Sequence, residues 1–244
     1  MVKSTALALF SASLLACATD PSSRCEQAAA AVAECTGSVP DGFVEACEAN
    51  AGASGEEAVD ALLDSTCEAV PAGGKADGLG EDAFVSACSV AVGAAYFTNW
   101  LRSPWSQPLP KELRDKLRPE YGALVDTVRV SWGATLIDTW TIGPVRVVLG
   151  DGHTDAQTFG SEVFLKYAYD VHNPTALVVI SHELQHARQA QQRGGLGGFE
   201  RDYCRAFWDS SYSYSNNALE IEAYANQHAL EPCLRAGGTN CKVK

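Results

Sequence analysis

Residues 180–186 read Ile-Ser-His-Glu-Leu-Gln-His, which is an H-E-x-x-H motif. On an α-helix, residues four apart lie on one face, so His182 and His186 can direct two imidazoles at one metal ion. Glu183 lies between them, where its carboxylate can hold and deprotonate a metal-bound water. The motif therefore predicts a metal-dependent hydrolytic site, provided that it lies on a helix.

The flanking residues predict that helix. Residues 175–180 form an apolar run that would bury it in a core, and Asn173-Pro174 is a start signal, with an asparagine cap and a proline just inside. Gly194-Gly195 supplies the stop. Histidine is scarce, with five in the chain, so the motif rarely arises by chance. The alternative is that both histidines are satisfied by hydrogen bonds within an ordinary core helix.

A catalytic zinc site needs a third protein ligand. The candidate segment is residues 219–226, which read as a helix. Glu220 and Glu222 lie about 200° apart on such a helix, so only one of them can face the metal. Glu222-x-x-Ala225-Asn226 is similar to an element that carries the third ligand in several zinc peptidase families. This similarity favours Glu222, and Glu220 is the alternative.

The N-terminus predicts export. A short basic start at residues 1–3 precedes an apolar run at 5–16, which is typical of a secretory signal and too short to span a bilayer. Leu14-Leu15-Ala16-Cys17 resembles a bacterial lipobox, in which the cysteine is acylated and becomes the mature N-terminus. Residues 1–17 are therefore interpreted as a lipoprotein signal peptide, with an ordinary cleaved signal as the alternative. Ala18 favours the outer membrane, so we expect a lipid-anchored envelope protein or a secreted one.

The cysteines agree with export. There are nine, and assigning Cys17 to lipid leaves eight, an even number consistent with four disulfides in an oxidising compartment. Of those eight, five lie in residues 25–88 and three in residues 204–241. If all of them pair, at least one disulfide must join the two halves. None has C-x-x-C spacing, which argues against a cysteine–zinc or thioredoxin-like site.

The net charge of −12 argues against nucleic acid as a partner and against charge-driven binding to an anionic membrane. Any membrane association is therefore expected through the N-terminal lipid alone. The remaining partner class is a peptide or protein substrate.

The chain divides into a small and a large part. Residues 18–80 are predicted to be a Cys-rich helical region, stapled by disulfides and ending in a Gly-rich linker. Its helices are expected at 26–34, 41–48 and 55–69, with the linker at 71–80. A spacer or docking module, a packing extension and a pro-peptide are its possible roles. Residues 81–244 are predicted to be the metallopeptidase domain.

The large part alternates helix and strand signals, which predicts an α+β fold: a small sheet packed on the metal helix, followed by a C-terminal helical subdomain. Helices are expected at 82–101 and at 109–117, the second stopped by Pro119, and strands at 127–132, 145–149 and 163–167. The last strand is expected to form a sheet edge to which an extended substrate adds.

Taken in order, residues of about 105–230 resemble the zincin-like domain called the eCIS core domain, first described in extracellular contractile injection systems. The elements that carry the resemblance flank the motif on both sides. They are Leu109-Pro110, Leu113, Leu117 and Tyr121; Val128-Arg129-Val130 and Trp132-Gly133-Ala134; Ala156-x-Thr158-Phe159-Gly160 and Val163-Phe164; Gln189, Arg193-Gly194-Gly195, Phe199 and Tyr203; and Glu220-Ile221-Glu222-Ala223-Tyr224.

The resemblance implies a gluzincin-like zinc site with His182, His186 and Glu222 as ligands and Glu183 as the catalytic base. The expected activity is peptide hydrolysis by a metal-activated water. A second donor would hold the oxyanion, and the candidates are Tyr212, Tyr214 and His228. The remaining histidines, His153 and His172, are less suited to such a role.

Two other functions fit the same residues. One is a non-catalytic, zinc-stabilised module that binds peptides or proteins of the envelope. Glu183 argues against it, because a purely structural site has no need of that carboxylate. The other is an envelope scaffold acting through its disulfide-stapled region.

Overall fold

We describe the fold from a computed structural model of the chain. It describes residues 21–36, 80–103, 105–136, 139–142, 145–148, 154–170 and 172–243, together with positions 44 and 48. Within these ranges the protein has several helices and a small mixed sheet of four strands. The predicted α+β class is therefore confirmed.

The elements alternate as the sequence predicts. The helices are α1 (Pro21–Thr36), α2 (Glu81–Arg102), α3 (Lys111–Tyr121), α4 (Leu124–Thr127), α5 (Pro174–Gln192), α6 (Leu196–Asp209) and α7 (Ala218–Arg235), with a short 3-10 helix at Tyr214–Asn216. The strands are β1 (Gln107–Pro108), β2 (Arg129–Trp132), β3 (Thr139–Ile142), β4 (Val145–Val148), β5 (Ala156–Phe159) and β6 (Glu162–Leu165).

The four-stranded sheet has the order β1-β2-β6-β5, while β3 and β4 form a separate hairpin. Strands β2 and β6 are parallel, with Arg129 opposite Glu162, and β5 runs antiparallel to β6. The edge beside the motif is therefore β5, and the expectation that residues 163–167 form it is wrong. The prediction rested on the position of residues 163–167 as the last strand before the motif helix, but β6 pairs with β2 on one side and β5 on the other.

The sheet is covered on both faces. Val163 belongs to the cluster that also contains Ile180 of α5, which places the motif helix against one face. Phe159 and Phe164 point to the other face, where the Tyr96 ring of α2 lies 5.4 Å from that of Phe159, centroid to centroid. Burying each such side chain contributes roughly 1.5–3 kcal/mol. The sheet therefore lies between two apolar layers, and one of them holds α5 against it.

Helix α3 corrects one prediction. It does not stop at Pro119 but continues to Tyr121. Proline inside a helix removes a backbone donor and clashes with the preceding turn. Here the buried stripe of Leu113, Leu117 and Tyr121 continues past it, and the Tyr121 hydroxyl donates to the Ser181 carbonyl at 2.5 Å. Tertiary packing therefore outweighs the local effect of the proline.

Of the disulfides in the described part of the large region, one links distant segments and another closes a short loop. Cys88 of α2 bonds Cys204 of α6 across 116 residues, and Cys233 of α7 bonds Cys241. The first confirms that a disulfide joins the two halves of the chain. Cys25 is also disulfide-bonded. Disulfides of this kind are typical of proteins of the cell envelope or extracellular space.

Within the described part of the chain, no helix combines the length and the apolar character needed to cross a bilayer. The signal peptide at 1–17 and its lipidation site Cys17 lie outside the described residues. So do the predicted helices at 41–48 and 55–69, apart from two isolated helical positions, and the linker up to residue 79.

Candidate metal centre

The motif helix α5 begins where the sequence predicts. The Asn173 side chain caps it, accepting from the backbone N–H groups of Thr175 and Ala176 at 3.0 and 3.2 Å, and Pro174 follows as the first helical residue. The chain leaves the helix through Gly194 and Gly195, whose φ angles of 81° and 112° favour glycine. All five residues of the motif are buried. The motif therefore lies on a buried helix, as the sequence predicted.

Three side chains converge in that buried space. The Nε2 atoms of His182 and His186 lie 3.0 Å apart. The Oε2 atom of Glu220, from α7, lies 3.3 Å from the first and 3.4 Å from the second. All three side chains are buried, and together they form a group that could hold a metal ion.

The spacing of the three atoms suits a small divalent cation. A tetrahedral ion with bonds of about 2.0–2.2 Å holds its ligand atoms roughly 3.3–3.6 Å apart, close to the separations of 3.0, 3.3 and 3.4 Å found here. Moreover, Glu220 Oε2 is buried without a hydrogen-bond donor among the described residues. A buried carboxylate oxygen is costly unless a cation compensates it. The donor set therefore fits a metal ion.

The third member of the group is Glu220, which corrects the ligand set expected from the sequence. Leu219 and Ala223 are buried beside Glu220 on one face of α7, whereas Ile221 is 54% exposed. Glu222 is exposed and is not a member of the group. This burial phase was a signal available in the sequence, since Leu219 and Ala223 mark the inner face.

Glu222 is nevertheless engaged. Its Oε1 accepts from the Gln185 amide nitrogen at 2.8 Å, and its Oε2 accepts from the Gln189 amide nitrogen at 3.0 Å. The α7 helix itself is fixed by Asn217, whose side chain accepts from the Leu219 N–H at its start. The rotation of α7 about its axis therefore determines that Glu220, and not Glu222, faces the two histidines.

Tyr203 of α6 holds the ligand glutamate in place, a role that the sequence analysis missed. Its hydroxyl donates to Glu220 Oε1 at 2.7 Å, while Oε2 faces the histidines. Burial, together with the nearby Glu220 charge, raises the pKa of Tyr203 well above its usual value, so the phenol remains a donor. The Cys88–Cys204 disulfide adjoins this residue in sequence and ties α6 to α2.

Of the three candidate oxyanion donors, Tyr214 lies at the site. It lines the same pocket as Glu183, His186 and Glu220, and burial followed by the Glu220 charge raises its pKa. Tyr212 instead packs on the rings of Phe84, Phe207 and Trp208. His228 is exposed on α7. The structure therefore brings only Tyr214 of this trio into the pocket.

His172 stays apart from the group. It is exposed in the turn before α5, where its backbone N–H donates to the Asp170 carboxylate. His153 lies outside the described residues.

Glu183 connects the motif to the edge strand. Its Oε2 accepts a hydrogen bond from the Thr158 hydroxyl of β5 at 2.7 Å, and both residues line the pocket. This bond orients the carboxylate beside the metal-binding group and along the strand edge. A general base needs that kind of fixed position within reach of a bound water.

The pocket itself is largely apolar away from these groups. It is open to solvent on one side, and Val92, Phe159 and Phe199 contribute its walls. Among the described residues, the charged groups that line it are those of the motif and Glu220. An open pocket with apolar walls and a few convergent polar groups is typical of a ligand-binding site.

The charges of the group stabilise a cation. Burial disfavours the charged form of His186, but the Glu220 carboxylate outweighs it and raises the His186 pKa to about 9. For Glu220, burial is likewise outweighed by the two imidazoles, which hold its pKa well below the usual range. Without metal, the group therefore keeps a proton at neutral pH.

Metal binding is expected to release about one proton at pH 7, because a protonated His186 cannot be a ligand. Below about pH 9, the apparent affinity for the metal should fall roughly tenfold for each unit decrease in pH, because protons compete with the metal for His186. Calorimetric titrations in two buffers of different ionisation enthalpy count the protons. A count of zero throughout the range from pH 7 to 9 would contradict this prediction.

Residues 108–194 match the family model described as the eCIS core domain. This range, a little over a third of the chain, includes strands β2 to β6 and the whole of α5 with its motif, and it ends before Glu220. The expected resemblance is thereby confirmed over these residues. No curated protein matches the chain. No solved structure matches it either.

Proposed function

We propose that this protein is an exported zinc-dependent peptidase with a zincin-like fold. The observation that carries the proposal is the convergence of His182, His186 and Glu220 in one buried group beside Glu183. Two imidazoles and one carboxylate are a common catalytic zinc set, which leaves a coordination position open. Bound zinc would lower the pKa of a water and polarise the scissile carbonyl.

The protein's own groups complete the reaction. Glu183, held by Thr158, takes the proton from the attacking water and passes it to the leaving amine. Tyr214 lies in the same pocket and is the candidate donor to the developing oxyanion. Its raised pKa keeps that hydroxyl protonated over the whole working range.

The substrate would bind along β5. In the sheet formed by the described residues, β5 pairs with β6 on one side and lies at the edge on the other. An extended peptide can add to such an edge through backbone hydrogen bonds. Because every peptide backbone offers these bonds, this mode of binding depends little on the peptide sequence. Thr158 lies on this strand and contacts Glu183, so a peptide bond aligned there would lie beside the base.

The proposal includes a location in the cell envelope, which is inferred from the N-terminal sequence. The lipobox-like Leu14–Cys17 would anchor it in the cell envelope, where the observed disulfides persist. Radiolabelled palmitate incorporation tests this directly. Incorporation by the wild type and none by Cys17→Ser is the expected result.

The activity is tested on protein purified from an oxidising compartment with its disulfides intact. We expect about one zinc ion per chain by mass spectrometry and cleavage of a random peptide library. Removing the ion with a chelator should stop cleavage, and returning zinc should restore it. Bound zinc without any cleavage would instead favour a peptide-binding module. Absence of metal would remove both functions.

A further inference from the structure

Each metal-binding histidine is followed three residues later by a glutamine. His182 precedes Gln185, and His186 precedes Gln189, so on α5 each glutamine lies on the same face as its histidine. Both glutamine side chains also reach Glu222 of α7, one to each carboxylate oxygen. The two pairs are thus joined by a single carboxylate.

The Gln189 amide has only one orientation in this arrangement. Its nitrogen donates to the Leu219 carbonyl and to Glu222, both at 3.0 Å. Two acceptors fix the nitrogen on that side, which turns the amide oxygen towards Nδ1 of His186, 2.9 Å away. An amide oxygen can only accept, so it selects the imidazole form with the proton on Nδ1. That form leaves the Nε2 lone pair free for a metal.

The second pair repeats the first with one bond missing. Glu222 fixes the Gln185 amide nitrogen at 2.8 Å. The Gln185 amide oxygen and the His182 Nδ1 atom are both buried, and neither has a hydrogen-bond partner among the described residues. Two buried polar atoms without partners are costly. They are complementary, since one accepts and the other can donate.

We propose that Glu222 is a positioning residue, which uses Gln185 and Gln189 to hold both histidines in the form that binds metal. The Gln185–His182 bond completes the arrangement when an ion draws the His182 ring into place. The inference rests on the metal site of the proposed function, not on peptide hydrolysis. Glu222, which the sequence favoured as a ligand, would therefore support the ligands without contacting the ion.

The test is zinc affinity in full-length variants. Glu222→Gln replaces one acceptor oxygen by a donor, so one glutamine must turn and present its nitrogen to a histidine. Affinity is expected to fall about 10- to 100-fold, the usual cost of losing such support, with one ion still bound. Gln185→Glu alone places a second carboxylate beside Glu222 and should also weaken binding.

The double variant Gln185→Glu with Glu222→Gln exchanges the two groups and leaves the Gln189 bond to the Leu219 carbonyl in place. The new carboxylate at position 185 can accept from His182, and the new amide at 222 can donate to it and accept from Gln189. Zinc affinity should return to within a few-fold of the wild type, a coupling that loss of packing alone would not produce. Glu231→Gln, at a partly exposed α7 carboxylate paired with Arg235, is the matched control.

Long-range ¹H–¹⁵N spectra of the zinc-loaded protein read the proton positions, and both histidines should carry the proton on Nδ1. Unchanged affinity in Glu222→Gln, or a double variant no better than the single ones, would overturn the proposal. Loss of the ion in Glu222→Ala with retention in Glu220→Ala would make Glu222 a ligand and overturn it too. A wild type without metal would overturn both proposals, whereas metal binding without cleavage would affect only the peptidase.

Discussion

Glu220→Gln is expected to weaken zinc binding by about 10²–10³-fold. The substitution keeps an oxygen that can accept from Tyr203 but replaces the charged Oε2 atom that faces the two imidazoles. Structural zinc sites with four ligands supply about 10–16 kcal/mol in total, so one ligand is worth roughly 3–4 kcal/mol. The affinity is measured by competition with a chromophoric chelator.

The matched control for this variant is Glu200→Gln. Glu200 is also a buried glutamate, on α6, and burial raises its pKa to about 8. It is therefore mostly protonated at pH 7, where an amide resembles it closely. We expect wild-type zinc affinity from this control. A Glu220→Gln protein that is folded and binds zinc as tightly as the control would show that Glu220 is not a ligand.

Glu183→Gln is expected to lower the rate of peptide cleavage by about 10²–10⁴-fold, the usual contribution of a general base. The amide can still accept from the Thr158 hydroxyl, so the local contact is kept while the proton acceptor is lost. Zinc content should remain about one ion per chain, because Glu183 is not a member of the metal-binding group. Cleavage is followed with a fluorogenic peptide chosen from the library.

The cleavage rate and the zinc content of Glu183→Gln together separate the possible functions. Loss of cleavage with metal retained supports a base at position 183. Equal cleavage by wild type and variant would assign the activity to another group or to a contaminant. Loss of metal together with activity would show that the substitution disturbs the site itself, which the Thr158 contact argues against.

The sequence predicted the part of the site that depends on one helix. A helix places His182 and His186 on one face whatever surrounds it, and the Asn173 cap and the glycines after α5 are local signals. The α+β class followed in the same way from local patterns. These features need no knowledge of how distant segments meet.

The parts that depend on two elements meeting were harder to predict. The identity of the third ligand depends on the rotation of α7. Leu219 and Ala223 marked its inner face in the sequence, but the bond from the Asn217 amide to the Tyr203 carbonyl is made only in the fold. A similarity to other peptidases favoured Glu222, two residues away. Tyr203 was missed because nothing in its neighbourhood marks it as facing Glu220.

The edge strand illustrates the same limit. Strand β5 is four residues long, and its central Gln157 and Thr158 are buried although polar. The buried Thr158 hydroxyl is satisfied by Glu183, and that bond links two segments 25 residues apart. Strand β6 was expected at the edge because it is the last strand before the motif helix, but it pairs on both sides. The order of strands in a sheet depends on contacts between segments, which position along the chain does not reveal.

The central claim is that one ion is held by His182, His186 and Glu220. Anomalous diffraction at the zinc absorption edge, from crystals of the full-length protein grown with zinc, measures this most directly. The account predicts a single strong peak within about 2.0–2.2 Å of both Nε2 atoms and a Glu220 oxygen. A peak bonded to Glu222 instead, or no peak between the two imidazoles, would contradict it.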